Sequence, residues 1–290
     1  MRRRTQALIA VCGFAFAGRL RAQGETIVVE QRVLLHDRAT PAAVKRRALE
    51  EAMAEAVRRV AGVRVQSSAV STTTEDRTGV RGEYRSVVQL DAAGRATDAR
   101  LVGEAWESTQ APGLGAQVYY RASWAITVER ETGTPDPAFT LDVSLPTEVY
   151  LVRGHDPPRN DELVAVVKSS ASARIYAFSI VGDSVHALVP NAFVPPVEAT
   201  AGARLELPDA TWRARGLHWR VTLPDGEDAR EELLAVVAVR GAGPPLPSAA
   251  MTVMEFQRWL VRIPAGDRAT GFVPYDVRRA SARAVPRMLR

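Results

Sequence analysis

The chain has 290 residues and a formal net charge of +5, with 38 basic and 33 acidic side chains. Five of the arginines lie in the first 22 residues, which contain no acid, so 33 basic residues face 33 acidic ones in the remainder. This neutrality argues against nucleic acid as a partner, because phosphate backbones are bound through an excess of Lys and Arg. The only cysteine, Cys12, also lies in this stretch, so disulfides, thiolate metal ligands and cysteine nucleophiles are excluded elsewhere.

Residues 1–22 have the layout of a secretory signal peptide. Residues 2–4 are arginines, residues 7–16 are apolar, and small-residue exits follow at Ala17 and Ala22. The apolar run is too short to span a bilayer, and no later stretch approaches the roughly 18 apolar residues that a transmembrane helix needs. We therefore expect export, with cleavage after Ala17 or Ala22, to a periplasmic or envelope-associated location, and no transmembrane span.

Residues 24–130 are predicted to form an α+β envelope-type domain. Alternating apolar positions at 27–35 indicate a first strand. Thr40 and Pro41 supply an N-cap and a first-turn proline for a long helix that runs to about residue 61, where Gly62 is placed to end it. The apolar stripe of this helix has helical spacing: Val44, Ala48, Leu49, Ala52, Met53, Ala56, Val57 and Val60.

Strand patterns follow this helix. Residues 63–65 begin one strand, and residues 83–90 and 97–106 flank a turn at 91–94. Residues 118–128 form the clearest strand, because every second side chain is apolar, which is typical of a sheet with one buried face. The pattern predicts one long helix packed on a mostly antiparallel sheet.

Residues 131–138 break the pattern with Pro and Gly and are predicted to be a linker. Residues 139–277 then form short strand patterns separated by Pro and Gly, which favours a β-rich sandwich or partly closed barrel with a C-terminal helix at about 252–261. The strand patterns lie at 139–145, 149–152, 162–168, 174–181, 185–189, 218–223 and 233–239. Residues 278–290 form a basic tail that we expect to be solvated.

Residues 174–191 have a specific order: an aromatic strand, a Gly turn, a second strand, then Leu-x-Pro-Asn. Ala201-Gly202, Pro208, a turn at 224–226 and an apolar strand at 232–238 follow. This order resembles the bacterial domain of unknown function 4384, with its Y-x-F-x-I…G-x-V…L-x-P-N core, over residues 139–240. The resemblance implies an envelope protein without catalytic residues.

The first domain is similar to the N-terminal domain of flagellar assembly protein T and related envelope proteins. The helix residues 48–56, a G-V-x-V-x-S strand at 62–67 and the amphipathic strand at 118–128 carry this similarity. The chain lacks the remaining architecture of that protein, so a flagellar or another pathway stays open. Like the first resemblance, this one implies a protein that binds or scaffolds.

Gly182-Asp183-Ser184 resembles the nucleophile block of GDS-type lipases, in which the serine needs a histidine base and an acid. Those enzymes use a downstream Asp-x-x-His pair, but Arg215 stands three residues before His218. Gly-Asp between two strand patterns is also a good hairpin turn, which is the reading we favour. A serine hydrolase using Ser184 is the remote alternative.

Two loops contain His and acidic residues that a metal could bind: His36-Asp37, and His155-Asp156 with Asp161 and Glu162. Neither has the spacing typical of zinc or iron ligands, so we expect solvated loops and no metal. No HExxH, P-loop or GxGxxG motif is present, and we expect no cofactor and no catalytic residue.

Export, two packed domains and an incomplete catalytic set together predict a non-catalytic binding or scaffold protein, with another envelope protein as its partner. The alternative is a ligand-binding module for a glycan or small molecule. Its candidate contacts are Tyr176, Trp212 and Trp219. The sequence leaves the oligomeric state open.

Overall fold

The computed structural model describes residues 24–36, 39–61, 94–111, 115–154 and 157–280. It is a mixed α+β protein made mostly of strands with few helices, as predicted for its class. The described strands form open sheets with edge strands and no closed barrel. Within the same residues, no helix combines the length and apolar character that crossing a membrane requires.

In the described residues of the N-terminal part, one long helix packs on an antiparallel sheet, as predicted, and three strands of that sheet are described. Its elements are β1 (Glu25–Leu34), α1 (Pro41–Ala61), β2 (Gly94–Ala111) and β3 (Gly115–Arg130). The sheet order is β1-β3-β2. The predicted N-cap is confirmed, because the Ala43 amide donates to Thr40 Oγ1 at 3.2 Å. The predicted strands at 63–65 and 83–90, and the Gly62 cap, lie outside the described residues.

α1 packs on the sheet through small side chains. Ala48, Ala52 and Ala56 are fully buried against β3 residues such as Trp124 and Ile126. A helix face of alanines lets the helix axis approach the sheet closely, so that the larger side chains of β3 fill the remaining space. The apolar stripe and the alternating strand therefore form one core, as their periods predicted.

The rest of the described chain forms two further sheets. One is seven-stranded, in the order β12-β8-β7-β11-β13-β5 with β9 on β7, and the other is three-stranded, in the order β10-β6-β4. Their bounds are β4 (Leu141–Ser144), β5 (Val149–Val152), β6 (Ala165–Ser169), β7 (Ala173–Val181), β8 (Ser184–Val189), β9 (Val197–Ala199), β10 (Arg204–Leu207), β11 (Ala229–Val239), β12 (Ala250–Thr252) and β13 (Arg268–Arg279). Two helices accompany them, α2 (Ala210–Ala214) and α3 (Val253–Val261).

The seven-stranded sheet is covered on both faces. On one face, Phe178 packs against Phe256 and Trp259 of α3, with ring centroids 4.9 and 5.5 Å apart. On the other face, Val236 shares a core with Val167 of the three-stranded sheet. Because both faces of β11 are buried from Leu233 to Val239, that part of its sequence is a continuous apolar run and shows no alternation.

The C-terminal helix prediction is wrong in one respect. α3 forms at the predicted place, but β13 follows it, pairs with β11 along its whole length and extends to Arg279, inside the predicted tail. Gly271 and Pro274 interrupt the strand pattern at 268–279, so the sequence does not predict this strand. Proline is tolerated there because β5 pairs with β13 only from Asp276 onward, so the edge beside Pro274 has no partner among the described strands.

Another strand prediction fails at residues 218–223, where the structure has one isolated bridge, between Arg220 and Glu162. The predicted linker, residues 131–138, forms a hydrogen bond and an ion pair with the C-terminal part of the protein. The Ala265 amide donates to the Thr132 carbonyl at 2.7 Å, and Arg240 pairs with Asp136 at 2.8 Å.

Candidate functional site

Large apolar side chains are exposed at a few places in the described structure, and three of them lie close together on β2. Leu101, Val102 and Trp106 are 47%, 58% and 41% exposed. We call these three residues the β2 strip. Apolar side chains that cluster on a surface mark interaction sites more often than scattered ones do, so this strip is the strongest candidate site.

A β-bulge explains why the strip is exposed. The pairing of β2 with β3 shifts between Leu101 and Gly103, so Val102 is an extra residue on β2. A bulge increases the local twist and changes the direction of the side chains around it. Beyond this point β2 stays paired with β3, and Trp106 opposes Tyr120, which on its other side pairs with Val33 of β1.

Aromatic packing holds Trp106 in place. Its ring lies 5.0 Å from the ring of Tyr120, which in turn lies 6.4 Å from the ring of Trp124 in the core under α1. Such pairs contribute about 0.5–1.5 kcal/mol beyond the area they bury. One end of this row of rings is therefore in solvent and the other end is fixed in the core.

Charged groups border the row of rings. The Tyr120 hydroxyl donates to Glu104 Oε2 at 2.5 Å, and Lys45 Nζ donates to Glu104 Oε1 at 2.9 Å. Lys45 Nζ also lies 5.4 Å from the centre of the Tyr120 ring, within reach of a cation–π contact. An apolar centre with a charged border is the usual composition of a protein-binding surface.

The protonation states at this border follow from the same contacts. The hydrogen bonds from Lys45 and Tyr120 lower the pKa of Glu104 below its ordinary value. Burial, with the neighbouring Glu104 carboxylate, raises the pKa of Tyr120 to about 12. At neutral pH the site therefore has an anionic Glu104 and a neutral Tyr120 that donates its proton.

The structure separates the three candidate ligand contacts. Tyr176 is buried against Trp259 of α3, on one face of the seven-stranded sheet, with ring centroids 5.1 Å apart. Trp212 and Trp219 border the core on the other face of that sheet. The three residues therefore do not share one contact surface.

Ser184 lies in the predicted hairpin. Gly182 and Asp183 are the two turn residues between β7 and β8, and Val181 pairs with Ser184 across them. Gly182 has a φ of 56°, and a positive φ at the first turn residue is typical of a type II′ hairpin. His218 lies in another loop, where its Nδ1 is 2.9 Å from Glu162 Oε1. Its carboxylate partner is therefore Glu162, whereas a GDS-type site uses an aspartate three residues before the histidine.

The residues considered as metal ligands are only partly described. Asp37, His155 and Asp156 lie outside the described residues. Asp161 is engaged by the chain itself, since its Oδ2 accepts the Leu151 amide at 2.9 Å and its Oδ1 accepts Arg153 Nη2 at 2.8 Å. In the part of the chain that the structure describes, His and acidic side chains form no group of three that could hold a metal ion.

No protein-family model matches the chain, and no curated protein is significantly similar to it. The resemblances to the domain of unknown function 4384 and to flagellar assembly protein T therefore stay predictions.

The β2 strip is a candidate site that was not predicted from the sequence. Trp106 was predicted only as the last residue of the strand at 97–106, although a local signal was present. Leu101 and Val102 are consecutive apolar residues, and this break in the two-residue period coincides with the bulge.

Proposed function

We propose that this chain is a non-catalytic binding or scaffold protein of the bacterial cell envelope, exported by its first 22 residues, and that the β2 strip binds another envelope protein. The proposal includes two domains, at 24–130 and 139–277. The observation that carries the binding role is the exposure of Leu101, Val102 and Trp106 beside a fixed row of aromatic rings.

Three features support a protein partner. Trp and Tyr contribute most to binding energy when they can be enclosed at the centre of an interface. Trp106 is already held by Tyr120, so little side-chain entropy is lost when a partner covers it. Glu104 and Lys45 lie at the border, where charged pairs set orientation and association rate more than affinity.

In-cell photocrosslinking tests this proposal directly. A photoreactive amino acid is placed at Leu101 or at Val102, and the crosslinked products are identified by mass spectrometry. The matched control carries the same amino acid at Phe193, which is 81% exposed but lies in a turn of the C-terminal part. We expect one dominant envelope protein at both β2 positions and not at Phe193.

Substitution gives a second readout. We expect Trp106→Ala to weaken capture of the crosslinked partner at least tenfold, which is about 1.4 kcal/mol. Phe193→Ala removes an aromatic ring that is more exposed than Trp106 and should leave capture unchanged. The proposal fails if the β2 positions crosslink no reproducible partner, or if both substitutions weaken capture equally.

A further inference from the structure

β1 and β2 are the two outer strands of the described N-terminal sheet, so the outer edge of β1 lies at the edge opposite to the β2 strip. β1 is an edge strand of the N-terminal sheet, and within the described residues it pairs only with β3. Val28 on this strand is 61% exposed. A ten-residue strand whose outer edge has no partner among the described strands is a template for pairing with another strand.

The hydrogen-bonding direction along β1 follows from one contact. The Leu35 amide donates to the Val118 carbonyl of β3 at 2.8 Å, so the backbone groups of odd-numbered residues point toward β3. In an antiparallel ladder the direction alternates from one residue to the next. The N–H and C=O groups of the even-numbered residues, from Thr26 to Leu34, therefore point out of the sheet.

The sequence of this edge is complementary to itself. Residues 27–35 read Ile-Val-Val-Glu-Gln-Arg-Val-Leu-Leu, with three apolar residues on each side of Glu30-Gln31-Arg32. If two copies pair antiparallel about a two-fold axis at Gln31, each Glu30 opposes the Arg32 of the other copy. In the same register Val28 opposes Leu34.

Opposite charges and apolar pairs that face each other across two strands stabilise the pairing, whereas like charges destabilise it. Moving the axis one residue toward the N-terminus places Val28 opposite Arg32, with Glu30 opposite itself. Moving it two residues places Val28 opposite Glu30 and Arg32 opposite Thr26. Moving it three residues places Val28 against itself and Arg32 opposite Gly24, so neither shift gives Arg32 a carboxylate. The register at Gln31 is therefore the one that matches both charge and apolar character.

We propose that two copies of this chain associate through an antiparallel β1–β1 contact centred on Gln31, which joins their N-terminal sheets into one six-stranded sheet. The even-numbered residues at 28–34 provide outward N–H and C=O groups on both copies, so the backbone direction fits this register. The two β2 strips would then lie at the far ends of the joined sheet, and the dimer would present both of them to envelope partners.

Disulfide trapping tests the register. Gln31 faces its own counterpart at a non-hydrogen-bonded pair, where Cα atoms are about 4.5 Å apart, close enough for a disulfide. In a Cys12→Ser background no other cysteine is present. We expect Gln31→Cys to form a covalent dimer under mild oxidation. Thr26→Cys is the control, because in this register the two copies of that position lie roughly 30 Å apart.

The oligomeric state gives an independent readout. We expect the exported full-length product to sediment at twice the monomer mass. Val28→Pro removes an outward N–H without removing a bond to β3, so it should yield a folded monomer, while Val28→Thr keeps the N–H and should stay dimeric. The proposal is overturned if the wild-type protein is a monomer, as it would be if another segment of the same chain covered β1. It is also overturned if Thr26→Cys crosslinks as efficiently as Gln31→Cys.

Discussion

Glu131 is a buried carboxylate that two arginines share. Arg95 Nε lies 2.8 Å from Glu131 Oε1, and Arg268 Nη2 contacts the same oxygen. All three side chains are almost completely excluded from solvent. Removing a buried carboxylate between two guanidiniums lowers the free energy of unfolding strongly, because it leaves their positive charges unbalanced in a low dielectric.

We therefore expect Glu131→Gln to lower the free energy of unfolding by about 3–5 kcal/mol. Glu25→Gln is the control, because Glu25 pairs with Arg130 at 3.8 Å on the exposed surface. That substitution should cost at most about 1 kcal/mol. Urea denaturation of both variants measures the difference, and equal costs would contradict the role given to Glu131.

Two tyrosines should ionise at a higher pH than an ordinary tyrosine does. Burial raises the pKa of Tyr120 to about 12, helped by Glu104, and burial raises the pKa of Tyr150 to about 12, helped by Asp161. Because these pKa values lie above the ordinary value near 10, the two neutral tyrosines make their full contribution to the free energy of unfolding below pH 10. It is lost as the pH rises through 12.

The expected result is a tyrosinate absorbance titration with a late component near pH 12. Tyr120→Phe and Tyr150→Phe should each reduce it, and the double variant should reduce it further than either single variant. An unchanged late component in the double variant would contradict this assignment.

At the scale of single elements, the β7–β8 hairpin depends on the backbone of Gly182. A Cβ at this position would meet no heavy atom within 4 Å, so space is not the constraint. Its φ of 56° is the constraint, because residues with a Cβ are disfavoured in that conformation.

We expect Gly182→Ala to lower the free energy of unfolding by about 1 kcal/mol. Gly103→Ala is the matched control, since a Cβ there also meets nothing within 4 Å and the residue has no left-handed φ. Thermal unfolding followed by circular dichroism compares the two variants. A smaller loss for Gly182→Ala than for Gly103→Ala would show that the turn does not depend on glycine.

At the scale of the whole molecule, the N-terminal sheet is joined to the C-terminal part through α3. Arg258 Nη2 donates to the Thr97 carbonyl of β2 at 2.5 Å, and Arg95 Nη1 donates to Gln257 Oε1 at 2.8 Å. The Ala265 amide adds a bond to Thr132. These contacts tie residues far apart in sequence, so unfolding of one part removes partners from the other.

A single unfolding transition should therefore be observed, with coincident curves from tryptophan fluorescence and far-ultraviolet circular dichroism. Arg258→Ala should separate the two curves, while Arg262→Ala, an exposed neighbour at the end of α3, should not. Two transitions in the wild-type protein would contradict this coupling.

Much of the fold could be predicted because its signals are local. α1 was placed within a residue of its observed bounds by its cap, its first-turn proline and the period of its apolar stripe. β3 was predicted because one of its faces is buried and the other is exposed, so its sequence alternates between apolar and polar residues. β13 was missed because Gly271 and Pro274 interrupt its pattern, and its partner β11 has no alternation to match.

The sequence by itself determined which segments become helix or strand, since periodicity, caps and turn residues act over a few neighbours. Only the tertiary structure decided which side chains meet. It placed Tyr176 and Trp219 on opposite faces of one sheet, put Glu131 between Arg95 and Arg268, and left the β2 strip uncovered. The physical reason is that these outcomes depend on register and on the covering of sheet faces, which are set by contacts between distant residues.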